Sequence, residues 1–198
     1  MKRIAVAGGI GAGKTAATDR LSSLGYEVID ADEVAHQITE PGQPAWQALR
    51  DAFGDAVLST DQSLDRAFVA QIVFNDASAL QRLNLITHGY IGREIVRRLD
   101  AATGRAVFVA LPLYRPEHRD TFKFDETWAI QASPDVALAR LIDHRAFSEA
   151  DAKARLASQI SNEDRSKLVD KVIWNNGSLA ELDEQLGENL RDLGLSDE

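Results

Sequence analysis

Cysteine is absent from the 198 residues, which removes disulfides, thiolate nucleophiles and cysteine-based metal sites while leaving the compartment open. Positive charge is in short supply: 22 Lys and Arg stand against 31 Asp and Glu, for a net charge of −9. A broad nucleic-acid footprint needs a basic face, so nucleic acid is not an expected partner, although a local basic pocket for a small polyphosphate remains open. No apolar stretch approaches the roughly 20 residues of a membrane span. The start, Met1-Lys2-Arg3 followed by apolar residues, has the outline of a signal peptide. However, the run breaks at Gly8-Gly9 and reaches Lys14 without a cleavage site. These exclusions predict a cytoplasmic protein with no membrane partner. Internal repeats and low-complexity segments are also lacking, and no His/Asp/Glu group has the spacing of a metal site.

What is present begins with Gly8-Gly9-Ile10-Gly11-Ala12-Gly13-Lys14-Thr15, which fits G-x-x-x-x-G-K-[ST]. Ile4-Ala5-Val6-Ala7 before it reads as a short buried strand, and Ala16 to Leu24 after it as a helix. In that context the glycines let the backbone wrap closely, so that N–H groups face the phosphates of a nucleotide. Lys14 is expected to reach the β- and γ-phosphates, and the Thr15 hydroxyl to take a place on a nucleotide-bound Mg²⁺. The helix N-terminus adds its positive end. A nucleoside triphosphate is the expected ligand.

Hydrophobic residues at 44% and charged residues at 27% are ordinary for a soluble domain, and the length suits one domain with room for a small inserted subdomain. Strand and helix signals alternate, which predicts a parallel sheet with helices on both faces. After a first strand at about 3–7 comes a second at Tyr26–Asp30, ending in Asp30-Ala31-Asp32. Residues 33–40 look helical, and Pro41-Gly42-Gln43-Pro44 interrupts the chain. From 44 to about 101 the pattern is mostly helical, as an inserted substrate-side subdomain would be. Ala106–Leu111 is a continuous apolar strand of the kind found at the centre of a parallel sheet, and Thr127–Gln131 is a fourth. Ser133-Pro134-Asp135 and Ser148-Glu149-Ala150-Asp151 read as helix starts, the second helix reaching about Ser161. Lys171–Trp174 is a last short strand, and an acidic amphipathic helix follows from about 178.

Asp30 and Asp32 fall at the C-terminal end of the second strand, the edge at which parallel sheets bind ligands. Two residues apart in an extended segment, their carboxylates are expected to project to the same side. A carboxylate there can accept the proton of an attacking hydroxyl. Asp32 is the expected base, and the cap of the helix from Glu33 is expected to be Asp30 or to be shared between the two. Arg140, His144, Arg145, Lys153, Arg155 and Arg165 crowd one later segment. Charged helical faces are usually just solvated, but a helix–turn–helix after the fourth strand can also be a lid that brings arginines to a transferring phosphoryl group.

Taken together these residues resemble the dephospho-coenzyme A kinase family. Besides the loop, the resemblance rests on Val28-Ile29-Asp30-Ala31-Asp32, Glu40-Pro41-Gly42, Phe53-Gly54, Leu64-Asp65-Arg66, Val73-Phe74-Asn75, Leu83 through His88, Pro112-Leu113, Gln159, Arg165 and Asn175-Asn176-Gly177. It spans about residues 3 to 177. It implies an α/β, three-layer P-loop fold with a core of about 1–32, 103–135 and 166–198, a helical acceptor-side subdomain of about 33–102, and a helical lid of about 136–165. It implies transfer of the ATP γ-phosphoryl group to the ribose 3′-hydroxyl of dephospho-CoA, with Asp32 as base. Gly8, Gly11, Ala12, Gly13, Lys14, Thr15, Ala16 and Asn175 would hold ATP. Asp65, Arg66, His88, Leu113 and Tyr114 would join Asp32 around the acceptor. The chain would act as a monomer or a small homo-oligomer.

Four departures from the family pattern bear on chemistry. Lys-Ser-Thr in the loop is Lys14-Thr15-Ala16, which loses one hydroxyl but keeps the one for Mg²⁺. His-Pro is His88-Gly89, which is expected to loosen that turn. Pro-Leu-Leu-x-Glu has become Pro112-Leu113-Tyr114-Arg115-Pro116-Glu117, with its glutamate one position late. The lid arginine four residues after Arg140 falls on His144, a side chain with no guanidinium fork. Arg145, beside it and about 100° around a helix, is expected to carry the lid role with Arg140. A kinase for another ribose-bearing acceptor and a non-catalytic ATP-binding paralogue remain as alternatives.

Overall fold

The computed structural model describes residues 1–195. Five strands form one parallel sheet in the order β2-β3-β1-β4-β5. They are β1 (Lys2–Gly8), β2 (Glu27–Asp30), β3 (Ala106–Ala110), β4 (Glu126–Gln131) and β5 (Lys171–Trp174). Val6 pairs with Ala110 on one side of β1 and with Trp128 on the other. β1 is thus flanked by two strands that come much later in the chain. That arrangement places the loop after β1 at the switch in strand order where open α/β sheets bind ligands.

One face of the sheet is closed by α1 (Lys14–Ser23) and α10 (Leu179–Asp192). Ile4, Val6, Phe108, Trp128, Ile130 and Ile173 project from the strands onto Ala17, Leu21, Leu182, Leu186 and Leu190, and all of these are buried. The i, i+4 spacing of the three α10 leucines puts them on one stripe. The Phe108 ring meets Trp128 at 5.3 Å and Tyr26 edge-on at 5.4 Å, a preferred aromatic geometry. The start of α10 is fixed by a capping box: Ser178 accepts from the Glu181 N–H while the Glu181 carboxylate accepts from the Ser178 N–H.

β4 side chains off that face bond α6 (Glu117–Phe122), through Thr127 and Arg119, and α9 (Asn162–Ser166), through Gln131, while α7 (Pro134–Arg145) packs with α8 (Glu149–Ala157). α7 begins after Ser133 as its sequence predicts, yet the Ser133 side chain makes no capping bond. The helix opened by Ser148 stops at Ala157 instead of reaching Ser161. Ser161 caps α9 by accepting from the Asp164 N–H.

The chain forms two compact units, one of residues 1–30 with the chain from Ala102 onward, the other Ala31–Ala101. The segment at 136–165 lies in the first. The second unit contains α2 (Ala31–Gln37), α3 (Pro44–Phe53), α4 (Arg66–Asn75) and α5 (Ala77–Ala101), with α2, α3 and α4 all packed against α5. Among the described residues no helix is long and apolar enough to cross a membrane.

In the second unit Glu94 binds both Arg97, at 2.7 Å, and Arg98, at 2.8 Å. The Arg97 hydrogen bond, aided by Arg98, outweighs burial and lowers the Glu94 carboxyl to about 2. A depressed carboxyl stabilises the folded state above its unfolded pKa, and the contribution disappears as pH falls through the folded value. Discounted for solvent screening, it is on the order of 1 kcal/mol. Glu94→Gln is therefore expected to melt a few degrees lower at pH 7 and level with the parent near pH 2, as a thermal melt at each pH would show.

Candidate active site

The loop between β1 and α1 is built from the inside out. Gly11 and Gly13 have φ of +74° and +86°, a region that side chains occupy only under strain. A Cβ on Gly11 would stand 2.7 Å from the Ala137 carbonyl, and one on Gly13 would run into the Asn175 amide. Lys14, Thr15 and Ala16 open α1, so the helix does not use their N–H groups, and these are free to face an anion. The Thr15 hydroxyl is exposed and makes no hydrogen bond among the described residues, so it can serve a hard cation.

Three later segments close on the loop's outer side. Asn175, buried at the end of β5, donates its Nδ2 to the Ala12 carbonyl at 2.9 Å. Arg140, from α7, donates Nη1 to the Gly11 and Ala12 carbonyls, each at 3.4 Å, and Nη2 to Asn175 Oδ1 at 3.3 Å. Pinning the Ala12 carbonyl also orients the next N–H, because the peptide unit is planar and trans. Gln159 accepts from the Ile10 N–H at 3.0 Å. The guanidinium of Arg165 lies against Gly9. Arg165 belongs to the cation-rich segment read from sequence as a lid, whereas Gln159 is singled out by the family resemblance alone.

Lys14 Nζ sits 3.7 Å from Asp30 Oδ2, so the loop's own cation rests on the last residue of β2. Asp32 corrects the sequence reading. It does not continue an extended segment, because α2 begins at Ala31 and puts Asp32 in its first turn. The carboxylates of Asp30 and Asp32 thus belong to a strand end and a helix start, and the two-residue alternation of a strand does not relate them. An acidic residue in a first helical turn is favourably placed, and Asp32 is exposed.

Arg145 closes α7 and is exposed, with no hydrogen bond or ion pair among the described residues. The helix is regular through this position, so His144 stands about 40° from Arg140 around the axis and Arg145 about 140°. The structure brings Arg140 to the loop and leaves Arg145 outside.

Tyr114 also differs from expectation. It is buried, its ring meets His118 edge-on at 6.0 Å, and it is an electrostatic partner of Arg119. Arg119 in turn binds Asp170 and Thr127, and Thr127 pairs with Ala5, three residues short of Gly8. Burial alone would lower the Arg119 pKa, but Tyr114 and Asp170 outweigh it and hold the group above its ordinary value. Tyr114 is therefore packed inside the core, while Leu113 beside it is half exposed. Glu117 is the exposed first residue of α6.

In the second unit, Asp65 caps α4 by accepting from the Phe68 N–H at 2.9 Å. Arg66 bonds Thr39 Oγ1 at 2.9 Å and His36 Nδ1 at 3.1 Å. Both side chains are occupied in tying this unit together. His88 is exposed on α5, which runs unbroken from Ala77 to Ala101. No turn exists at His88-Gly89: without a proline, the backbone N–H at 89 stays in the helical ladder.

Comparison with known proteins agrees with this geometry. The dephospho-CoA kinase family profile matches residues 2–181. A dephospho-CoA kinase of Corynebacterium glutamicum is 40% identical over 92% of this chain and 92% of its own. One from Aromatoleum aromaticum is 37% identical over 90% and 87%. Among solved structures, a Thermus thermophilus protein matches with a TM-score of 0.80 at 27% identity, covering 97% of each chain. Dephospho-CoA kinase from Campylobacter jejuni matches at 0.66 and 28%, again over 97% of each.

Proposed function

This chain belongs to the dephospho-CoA kinase family, and from that membership we propose how its residues divide the work of phosphorylating dephospho-CoA with ATP. The observation that carries the reading is the intact loop. Its N–H groups open onto a helix N-terminus, with Lys14 at the same end of the sheet and Arg140 and Asn175 bracing it from outside. Lys14 leaves Asp30 for the phosphates when nucleotide enters. Mg²⁺ fits as an ion carried in by the nucleotide, since Thr15 offers an uncommitted oxygen and Mg²⁺ binds through few protein ligands plus substrate phosphates. When bound, it neutralises charge on the phosphate oxygens.

Asp32 is the base that takes the proton of the ribose 3′-hydroxyl as that oxygen attacks the γ-phosphorus. Its place in the chain supports this role, two residues beyond the strand end that meets Lys14. Arg140 stabilises the phosphoryl group in flight, and Arg145 joins it only by a movement of the α7–α8 turn. His88, Arg66 and Leu113 serve the acceptor, while Asp65 and Tyr114 shape its surroundings through the packing described above. We take the cytoplasm as the compartment of this activity.

A coupled assay of ADP release tests the reading. Turnover is expected with dephospho-CoA and not with adenosine or AMP, and the reverse preference would assign the site to another acceptor. Within the same assay, Arg140→Ala is expected to lose about a hundredfold in kcat, by analogy with loss of a charge-stabilising donor. Arg145→Ala should lose about tenfold; an undiminished rate removes Arg145 from the mechanism.

A further inference from the structure

Arg165 stands apart from the other arginines in this protein. It is 9% exposed, its guanidinium donates to Asn162 Oδ1 at 3.0 Å and to the Ile160 carbonyl at 3.2 Å, and no carboxylate pairs with it among the described residues. Burying a cation with only neutral acceptors is costly, because little offsets the lost hydration. The same burial lowers its pKa. Its position suggests what the missing anion is. A side chain on Gly9 would begin 3.2 and 3.3 Å from the two terminal nitrogens of Arg165, and 3.1 Å from Gln159 Oε1. Gln159 is at the same time the acceptor for the Ile10 N–H, where a neutral amide oxygen occupies a donor of an anion-binding loop. The whole assembly is anchored from β4: fully buried Gln131 donates Nε2 to the Asn162 carbonyl at 3.0 Å and to Ser166 Oγ at 3.2 Å, and the Asn162 side chain donates to the Ala132 carbonyl at 2.8 Å.

We propose that Arg165 is a phosphate-binding residue of the nucleotide site, bearing on the loop from the Gly9 side, and that Gln159 holds the Ile10 N–H until the nucleotide's phosphates displace it. The proposal rests on the kinase reading only in taking ATP as the anion. α9 is then the support that keeps a desolvated guanidinium aimed at the loop before ligand arrives. Pre-placing the charge this way removes part of the ordering cost of binding, and low local polarity strengthens each bond it makes to phosphate.

The test is calorimetric binding of ATP, with inorganic tripolyphosphate as a second ligand, to the full-length protein and three variants. Arg165→Gln keeps a donor for Asn162 but drops the charge, and Arg165→Met drops both. Each is expected to weaken ATP and tripolyphosphate by roughly thirtyfold, the range of a charge-assisted bond. The melting temperature of the ligand-free Arg165→Met variant should hold level or rise, since an uncompensated buried cation is removed, while the rise induced by ATP shrinks. Gln159→Ala should tighten ATP roughly threefold, because an internal competitor worth about one hydrogen bond is gone. An ATP affinity within twofold of the parent in Arg165→Gln overturns the proposal, as does a melting temperature that collapses without ligand while ATP binding persists. If Arg165→Met fails to fold, Arg165→Gln alone decides. Failure of the parent to phosphorylate dephospho-CoA would overturn the kinase reading instead, and leaves these binding differences unaffected.

Discussion

Asp32→Asn is expected to lower kcat by roughly three orders of magnitude while leaving the KM for ATP near that of the parent. The size follows from general base catalysis, which contributes about 10²–10⁴-fold, and the split follows from the role, since a base acts on the acceptor's proton and not on the donor. The phosphate loop, Lys14, Arg140 and Asn175 form one bonded assembly in the first unit, whereas Asp32 belongs to α2 in the second. Asn keeps the size of the Asp32 side chain and drops its charge, so the expected loss falls on the proton-transfer step. Asp30→Asn makes the comparison informative. Asp30 is the residue that meets Lys14 at 3.7 Å, so its loss is expected to change the KM for ATP more than kcat. If Asp30→Asn were the variant that abolished turnover, the base would have to be reassigned to the strand end. Single-turnover kinetics with saturating dephospho-CoA would separate the two, since binding and chemistry are then read independently.

Gly13→Ala is expected to abolish measurable ATP binding and to lower the melting temperature by about 10 °C. Two costs add at this position. The backbone φ of +86° is strained for any residue with a Cβ, by about 1 kcal/mol. The new methyl also overlaps the Asn175 amide, which cannot step aside without giving up its bond to the Ala12 carbonyl and its contact with Arg140. Overpacking of this kind costs about 1–3 kcal/mol, and a chain of this length loses about 2–4 °C per kcal/mol. Gly25 separates strain from crowding. Its φ is also +86°, but nothing lies within 4 Å of where a Cβ would be. Gly25→Ala should therefore melt only about 3 °C lower and bind ATP as the parent does. Equal behaviour of the two variants would show that backbone strain alone governs the loop.

The strands were readable because each is short, apolar and bounded by turn residues, and the loop was readable because its spacing encodes a single local geometry. Three other features depended on information that local sequence does not contain. The end of β2 is set by its partner, since Asp30 is the last residue with a register mate on β3, namely Ala110. Beyond it the chain is free to turn helical, so extending the alternation to Asp32 carries a strand rule two residues too far. The family resemblance puts Tyr114 at the acceptor. A buried ring with a polar tip goes wherever both can be satisfied, and here Arg119 offers that place on the core side. Gln159 and Arg165 reach the loop across some 150 residues of chain, a distance no periodicity spans. Arg140 could be named from sequence, but its part in holding the loop's carbonyls could not.

The central position of β1 has a consequence for how this protein is made. Its two partners, β3 and β4, begin at Ala106 and Glu126, so the first strand leaves the ribosome long before either exists. At synthesis rates of about 5–20 residues per second, it spends on the order of 5–20 seconds as an apolar segment with both edges unpaired, while the helices of Ala31–Ala101 fold in the interval. Asn175, which braces the loop through Ala12, arrives later than either partner strand. Nucleotide held by the braced loop therefore cannot assist the nascent chain before that residue is made.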